Sequence, residues 1–177
     1  MSREAAGLIM AAVAALLILA GLIAWRRRSR RDAGLTAPVG EAPAGATTRL
    51  RSEGLYVATT RHDEPLERLA IRGLAFRSRV DVTVTDRGVA LDLTGQPRVF
   101  LAADRLVDAG QATVAIDRVV ERDGLVRVAW TTPEGTLVDS YLRPQDTSAR
   151  SLADAIDGIL PATPTPTSPQ QTPGSDA

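Results

Sequence analysis

The chain has 177 residues, 21 basic and 21 acidic, with one histidine, no cysteine and a formal net charge of zero. Every basic residue is arginine, so disulfides, thiolate catalysis, cysteine-ligated zinc and any P-loop or Schiff-base lysine are excluded. Gly54–Leu160 holds 13 arginines against 16 acids, a net of −3, which argues against non-specific nucleic-acid binding because that rests on neutralising phosphates.

Ala5–Trp25 carries no charge and no proline. At about 1.5 Å per residue it reaches roughly 31 Å as a helix, enough to cross a hydrocarbon core of ~30 Å. Arg26, Arg27, Arg28, Arg30 and Arg31 follow at once, while the other flank offers Arg3 against Glu4. Residues 1–31 therefore read as a transmembrane anchor with a basic flank. The positive-inside rule puts these arginines in the cytoplasm of a single-pass plasma-membrane protein, N-terminus outside. They also attract anionic headgroups. A cleaved secretory signal would carry its charge before a shorter apolar run. Gly7, Ala11 and Ala15 form a small-residue stripe that close helix approach could use, though alanine is abundant throughout.

Residues 32–53 are rich in Ala, Gly, Pro and Thr without an apolar period and read as a flexible linker. Strands are predicted over Gly54–Thr60, Arg79–Thr85, Val89–Thr94, Val99–Ala102, Ala112–Glu121, Leu125–Thr131 and Thr136–Leu142. The cleanest alternation puts Val80, Val82 and Val84 on one face and Arg79, Asp81, Thr83 and Thr85 on the other. Asp86-Arg87-Gly88, Arg122-Asp123-Gly124 and Thr132–Gly135 supply the turns. Pro65–Ile71 is ambiguous, with Leu66, Leu69 and Ala70 at helical spacing. Ser148–Leu160 is an amphipathic helix capped by Ser148, stopped by Pro161, and placed to plug the open end of the sheet system. Residues 161–177 are proline-rich and read as a disordered tail. The fold class is mainly β: an antiparallel seven-stranded sandwich or barrel over 54–160 with a C-terminal capping helix.

That element order is the order of the pleckstrin-homology (PH-like) fold. Glu53–Thr60, Arg68–Leu74 with Arg77, Gly124–Trp130 and Leu137–Arg143 resemble small actinobacterial membrane proteins. Those carry one span and a bacterial PH-like domain, and are often labelled "transporter" or "export or membrane protein". The resemblance implies a binding module and brings no catalytic motif. Many of its members have a Gly-rich stretch where this chain reads Ala112–Arg118.

No nucleophile elbow, Walker or dinucleotide motif is present, and no cofactor is implied. His62 sits beside Asp63 and Glu64, and reads as an exposed loop histidine rather than a metal ligand. Asp104, Asp108 and Asp117 are too scattered for a calcium loop. Trp130, Tyr56 and Tyr141 read as core or sheet-face aromatics whose polar edges find hydrogen bonds.

Arg68, Arg72, Arg77 and Arg79 form the candidate anionic-ligand patch. The competing reading, preferred for a net-acidic domain, pairs them with Glu64, Glu67 and Asp81. The functional expectation is a non-enzymatic binding or scaffolding module with a protein partner. The alternative is an anionic-lipid-sensing accessory subunit of a transport or export system.

Overall fold

The structure, a computed structural model, describes residues 3–115, 118–119 and 124–161. Helix α1 runs Arg3–Arg31. Within it Gly7–Arg27 is long and apolar enough to cross a membrane. The helix does not stop with the apolar run. It continues through the arginines for about 9 Å, at 1.5 Å per residue, before turning at Asp32.

Among the described residues ten strands follow: β1 (Thr48–Arg61), β2 (Glu64–Arg68), β3 (Ser78–Thr85), β4 (Gly88–Leu93), β5 (Val99–Ala102), β6 (Leu106–Ala112), β7 (Val114–Ala115), β8 (Arg118–Val119), β9 (Leu125–Thr131) and β10 (Leu137–Pro144). Helix α2 (Ala149–Asp157) closes the domain. The main sheet is antiparallel in the order β5-β4-β3-β1-β10-β9-β6, with β2 added to β1. The short pair β7-β8 stands apart.

Strand β1 makes this sheet one piece. Its first half pairs with β3 and its second half with β10, and Gly54–Tyr56 pair on both sides at once. Gly54 is required there: a Cβ would lie 2.4 Å from the Arg143 carbonyl oxygen and 2.9 Å from Pro144 Cα.

The predicted phase of β3 holds. Val80, Val82 and Val84 are buried in a core that also contains Val89, Leu91, Leu93, Val126, Val128 and Trp130, whereas Arg79 and Asp81 are exposed. Alternation is what an antiparallel strand with one wet face must show.

Helix α2 presents Ala149, Leu152, Ala153 and Ile156 to β6 and β9. Ser148 Oγ accepts from the Ser151 N–H at 3.0 Å, as the capping position requires. Burying Leu152 and Ile156 completely is worth about 1.5–3 kcal/mol each, as an upper estimate.

Three readings change. The segment expected as a flexible linker is not free of the domain. Its last residues, 48–53, already belong to β1. The earlier part lies along β5, where Phe100 N–H donates to Pro38 O (2.8 Å) and Gly40 N–H to Arg98 O (3.1 Å). Pairing through the backbone needs no apolar period, and Ala37 is the one apolar residue of 32–47 that is buried. Pro65–Ile71 resolves into strand β2 followed by a loop. Leu69 and Ile71 are buried from that loop, which accounts for apolar residues at helical spacing without a helix. The strand expected over Ala112–Glu121 begins earlier, as β6. Residues 116–117, 120–123 and 162–177, which include Asp117, most of the Arg122–Gly124 turn and the tail, lie outside the described residues.

The aromatics anchor a buried polar chain. The Tyr56 hydroxyl donates to Leu74 O at 2.8 Å and meets Thr59 Oγ1 at 2.8 Å. Thr59 Oγ1 meets Ser140 Oγ at 2.7 Å, and Trp130 Nε1–H donates to Ser140 Oγ at 2.9 Å. Burial raises the Tyr56 phenol well above its ordinary range, so the hydroxyl stays neutral as a donor.

Candidate functional site

The turn after α1 is clamped to the domain. Asp32 is buried, and its carboxylate accepts from Arg31 Nε at 2.9 Å and from the Ala70 N–H at 3.0 Å. Arg31 also pairs with Glu67 on β2. These contacts raise the Arg31 guanidinium further, Asp32 contributing most. Thr36 bridges to Arg72 through the backbone. Its N–H and hydroxyl donate to Glu134 at 3.3 and 2.5 Å.

A cavity of about 460 Å³ opens beside this clamp, lined by Leu35, Thr36, Val39, Arg72, Gln96 and Val99 among others. Its walls are the post-helix segment on one side and the β2–β3 and β4–β5 connections on the other.

The Glu134 contact makes the clamp acid-sensitive. Hydrogen bonding from Thr36 favours the ionised carboxylate and holds its pKa below the ordinary value. A depressed folded-state pKa contributes stability that is present above the unfolded value and is lost as pH falls through the folded one. The Thr36 amide resonance, followed by NMR in micelles, is expected to titrate with a midpoint below the ordinary glutamate value of 4.5. Glu134→Gln should abolish that titration. A midpoint at or above 4.5 would contradict the assignment.

The four arginines expected to act together are separated by use. Arg68 is half-buried and donates to the carbonyls of Val57 and Ala75, the latter at 3.3 Å, so it holds the β2–β3 loop (69–77) to the sheet. Arg72 and Arg77 are exposed on that loop. Arg79 is exposed on the outer face of β3. Of the neutralising partners expected for them, Glu67 pairs with Arg31 and Arg61, and among the described residues no ion pair joins Glu64, Glu67 or Asp81 to Arg72, Arg77 or Arg79. Of the basic flank, Arg31 is the member with a described ion pair; Arg26, Arg27 and Arg30 are exposed.

His62 is not the exposed loop residue expected from sequence. It is half-buried, with Nδ1 at 2.8 Å from Asp139 Oδ1, and Asp139 is only 1% exposed. The Asp63 N–H donates to Asp139 Oδ2 at 3.2 Å from a left-handed backbone (φ 60°), and Arg127 Nη1 lies 3.5 Å from Oδ1. Asp108 pairs with the other end of Arg127. His62, Asp63 and Asp139 are close enough together to hold a metal. Yet both Asp139 oxygens already accept from protein donors, and an adjacent guanidinium disfavours a second cation. The arrangement satisfies a buried carboxylate. Sequence could not show this, because His62 and Asp139 are 77 residues apart.

The two ends of the sheet differ. At β5 the outer edge is occupied by the chain's own Pro38–Gly40. At the other end β6 is terminal in the strand order, and its Val107 is 51% exposed.

A family model described as "Bacterial PH domain-like" matches residues 35–156, most of the chain and nearly all of the sheet and α2. Searches of curated proteins and of solved structures return no match. The matched region includes residues 38–40, which lie along β5, consistent with that segment being part of the domain.

Proposed function

This chain belongs to the bacterial PH domain-like family, and on that premise we propose that it is a membrane-anchored, non-enzymatic recognition module whose domain lies in the cytoplasm and takes an extended segment of a protein partner as an added strand on β6. PH-like domains are generally binding modules. One helix long and apolar enough to span a membrane supplies the anchor. The arginine excess on its domain side supports the cytoplasmic placement.

The observation that carries the reading is the asymmetry of the sheet ends. An open strand edge presents backbone donors and acceptors that another chain can complete, and natural proteins cover edges that are not meant to pair. Here the β5 edge is covered by residues 38–40, whereas among the described residues the strand partner of β6 is β9 alone.

A photo-crosslinking residue at Val107 in the intact, membrane-embedded protein should give a discrete adduct that one at Thr94, on the β4–β5 turn, does not. Val107→Lys, which blunts an edge by charge, should abolish the associated co-purification. The same adducts from both positions, or capture unaffected by Val107→Lys, would overturn the assignment.

A further inference from the structure

The domain has a second feature that partner recognition on β6 does not use. We infer that the face surrounding the exit of α1, formed by Leu66, Phe76 and Val39 with Arg72 and Arg77, is a membrane-contacting surface that seats the domain on an anionic lipid headgroup layer. This rests on the membrane anchor and is independent of the β6 reading.

Distance forces the contact. The uncharged run ends at Trp25, and the helix reaches Arg31 about 9 Å further on. Beyond the hydrocarbon the headgroup layer is only about 5–8 Å thick on each side. Asp32 therefore sits just outside the headgroups. It is not followed by a tether, because its carboxylate holds the Ala70 N–H and Arg31 holds Glu67. Whatever surrounds Ala70 and Glu67 lies against the lipid.

Composition fits that position. Outside α1, the large apolar side chains that are exposed among the described residues are Val39 (65%), Leu66 (67%), Phe76 (78%) and Val107. Three of the four belong to the segments that make up the clamp and its cavity. Leu66 precedes Glu67, Phe76 lies on the loop whose Ala70 is bound to Asp32, and Val39 lines the cavity together with Arg72. Apolar groups gathered at one place on a surface mark a contact, and phenylalanine beside arginine suits the bilayer interface, where an apolar ring meets phosphate.

The charges agree. The guanidinium groups of Arg72 and Arg77 make no ion pair with a described residue. They would add to the basic flank of α1 on the same side. The net-acidic character of the whole domain does not oppose this, since fields beyond about 8 Å are screened at physiological salt.

The absence of cysteine allows a direct test on the full chain with single spin-labelled cysteines at 76 and at 107, in nanodiscs of zwitterionic lipid with or without phosphatidylglycerol. With phosphatidylglycerol present, collision of the label at 76 with a water-soluble nickel reagent should be severalfold lower than at 107. Arg72→Glu combined with Arg77→Glu should raise it towards the value at 107, with Trp130 emission unchanged. No other protein is present, so protection at 76 reports lipid. Equal collision rates at 76 and 107 in anionic nanodiscs would overturn the inference, and so would protection that survives the double charge reversal or that is the same without phosphatidylglycerol. None of these outcomes bears on whether β6 takes a partner strand.

Discussion

Val82→Asp is expected to abolish folding of the domain, whereas Thr83→Asp, one residue along the same strand, should change stability by less than about 1 kcal/mol. Val82 is 2% exposed and faces the core, opposite Leu91 in the β3–β4 ladder and Ser52 in the β1–β3 ladder. Aspartate there loses the burial of an apolar side chain and places a carboxyl in the core beside Ser52, whose hydroxyl is already engaged by Asp146 and Thr147. The combined cost of about 5 kcal/mol is comparable with the whole stability of a domain of this size. Thr83 points the other way, between Arg51 and Ala90, where a carboxylate reaches water and faces a guanidinium side chain. Denaturation of the detergent-solubilised protein, followed through buried Trp130, would measure the contrast. Equal losses from the two substitutions would mean that the strand faces are wrongly assigned.

Gly54→Val should be nearly as damaging, although nothing apolar is removed. Gly54 pairs simultaneously with Val80 and Pro144 where β1 leaves one neighbour for the other. A Cβ at 2.4 Å from the Arg143 carbonyl oxygen meets backbone, which cannot swing aside as a flexible side chain would. Either the β1–β10 ladder opens at its first rungs or β1 shifts against β3. We expect a loss of about 3 kcal/mol, at the upper end of the ordinary overpacking range. Gly45→Val, where nothing lies within 4 Å of the position a Cβ would take, serves as a control for the backbone term alone; its positive φ (82°) makes that control conservative. If Gly54→Val cost no more than Gly45→Val, β1 would not be the shared strand described here.

Strand β3 and helix α2 were legible from sequence because each has one buried face and one wet face, whereas β4, β9 and β10, buried on both faces, were legible from their β-branched and apolar runs between turn residues. Alternation in Val80–Val84, and the helical spacing of Leu152, Ala153 and Ile156, are direct consequences. The rest failed for physical reasons that differ case by case. Residues 38–40 pair with β5 by backbone alone, so the Ala-Pro-Gly composition around them looked like a tether. Strand β6, reading Leu-Val-Asp-Ala-Gly-Gln-Ala, lies at the end of the sheet and does not alternate. Strand β2 was obscured by Leu69 and Ile71, which are buried from the loop after it. At the candidate site, the arginine cluster was visible in the sequence. That Arg68 would be taken by backbone carbonyls while Arg72 and Arg77 stay exposed depends on the path of the 69–77 loop, which no local pattern encodes.

The account turns on which side of the membrane the domain occupies, and a pair of reporters fused after Ala177 tests this most directly. A cytoplasmic probe should be active and a probe that works only across the membrane should be silent. Neutralising Arg26, Arg27, Arg28, Arg30 and Arg31 together should produce both orientations, since the remaining flank offers only Arg3 against Glu4. A wild-type fusion active only on the far side would contradict the placement of the domain and, with it, the partner proposed for β6.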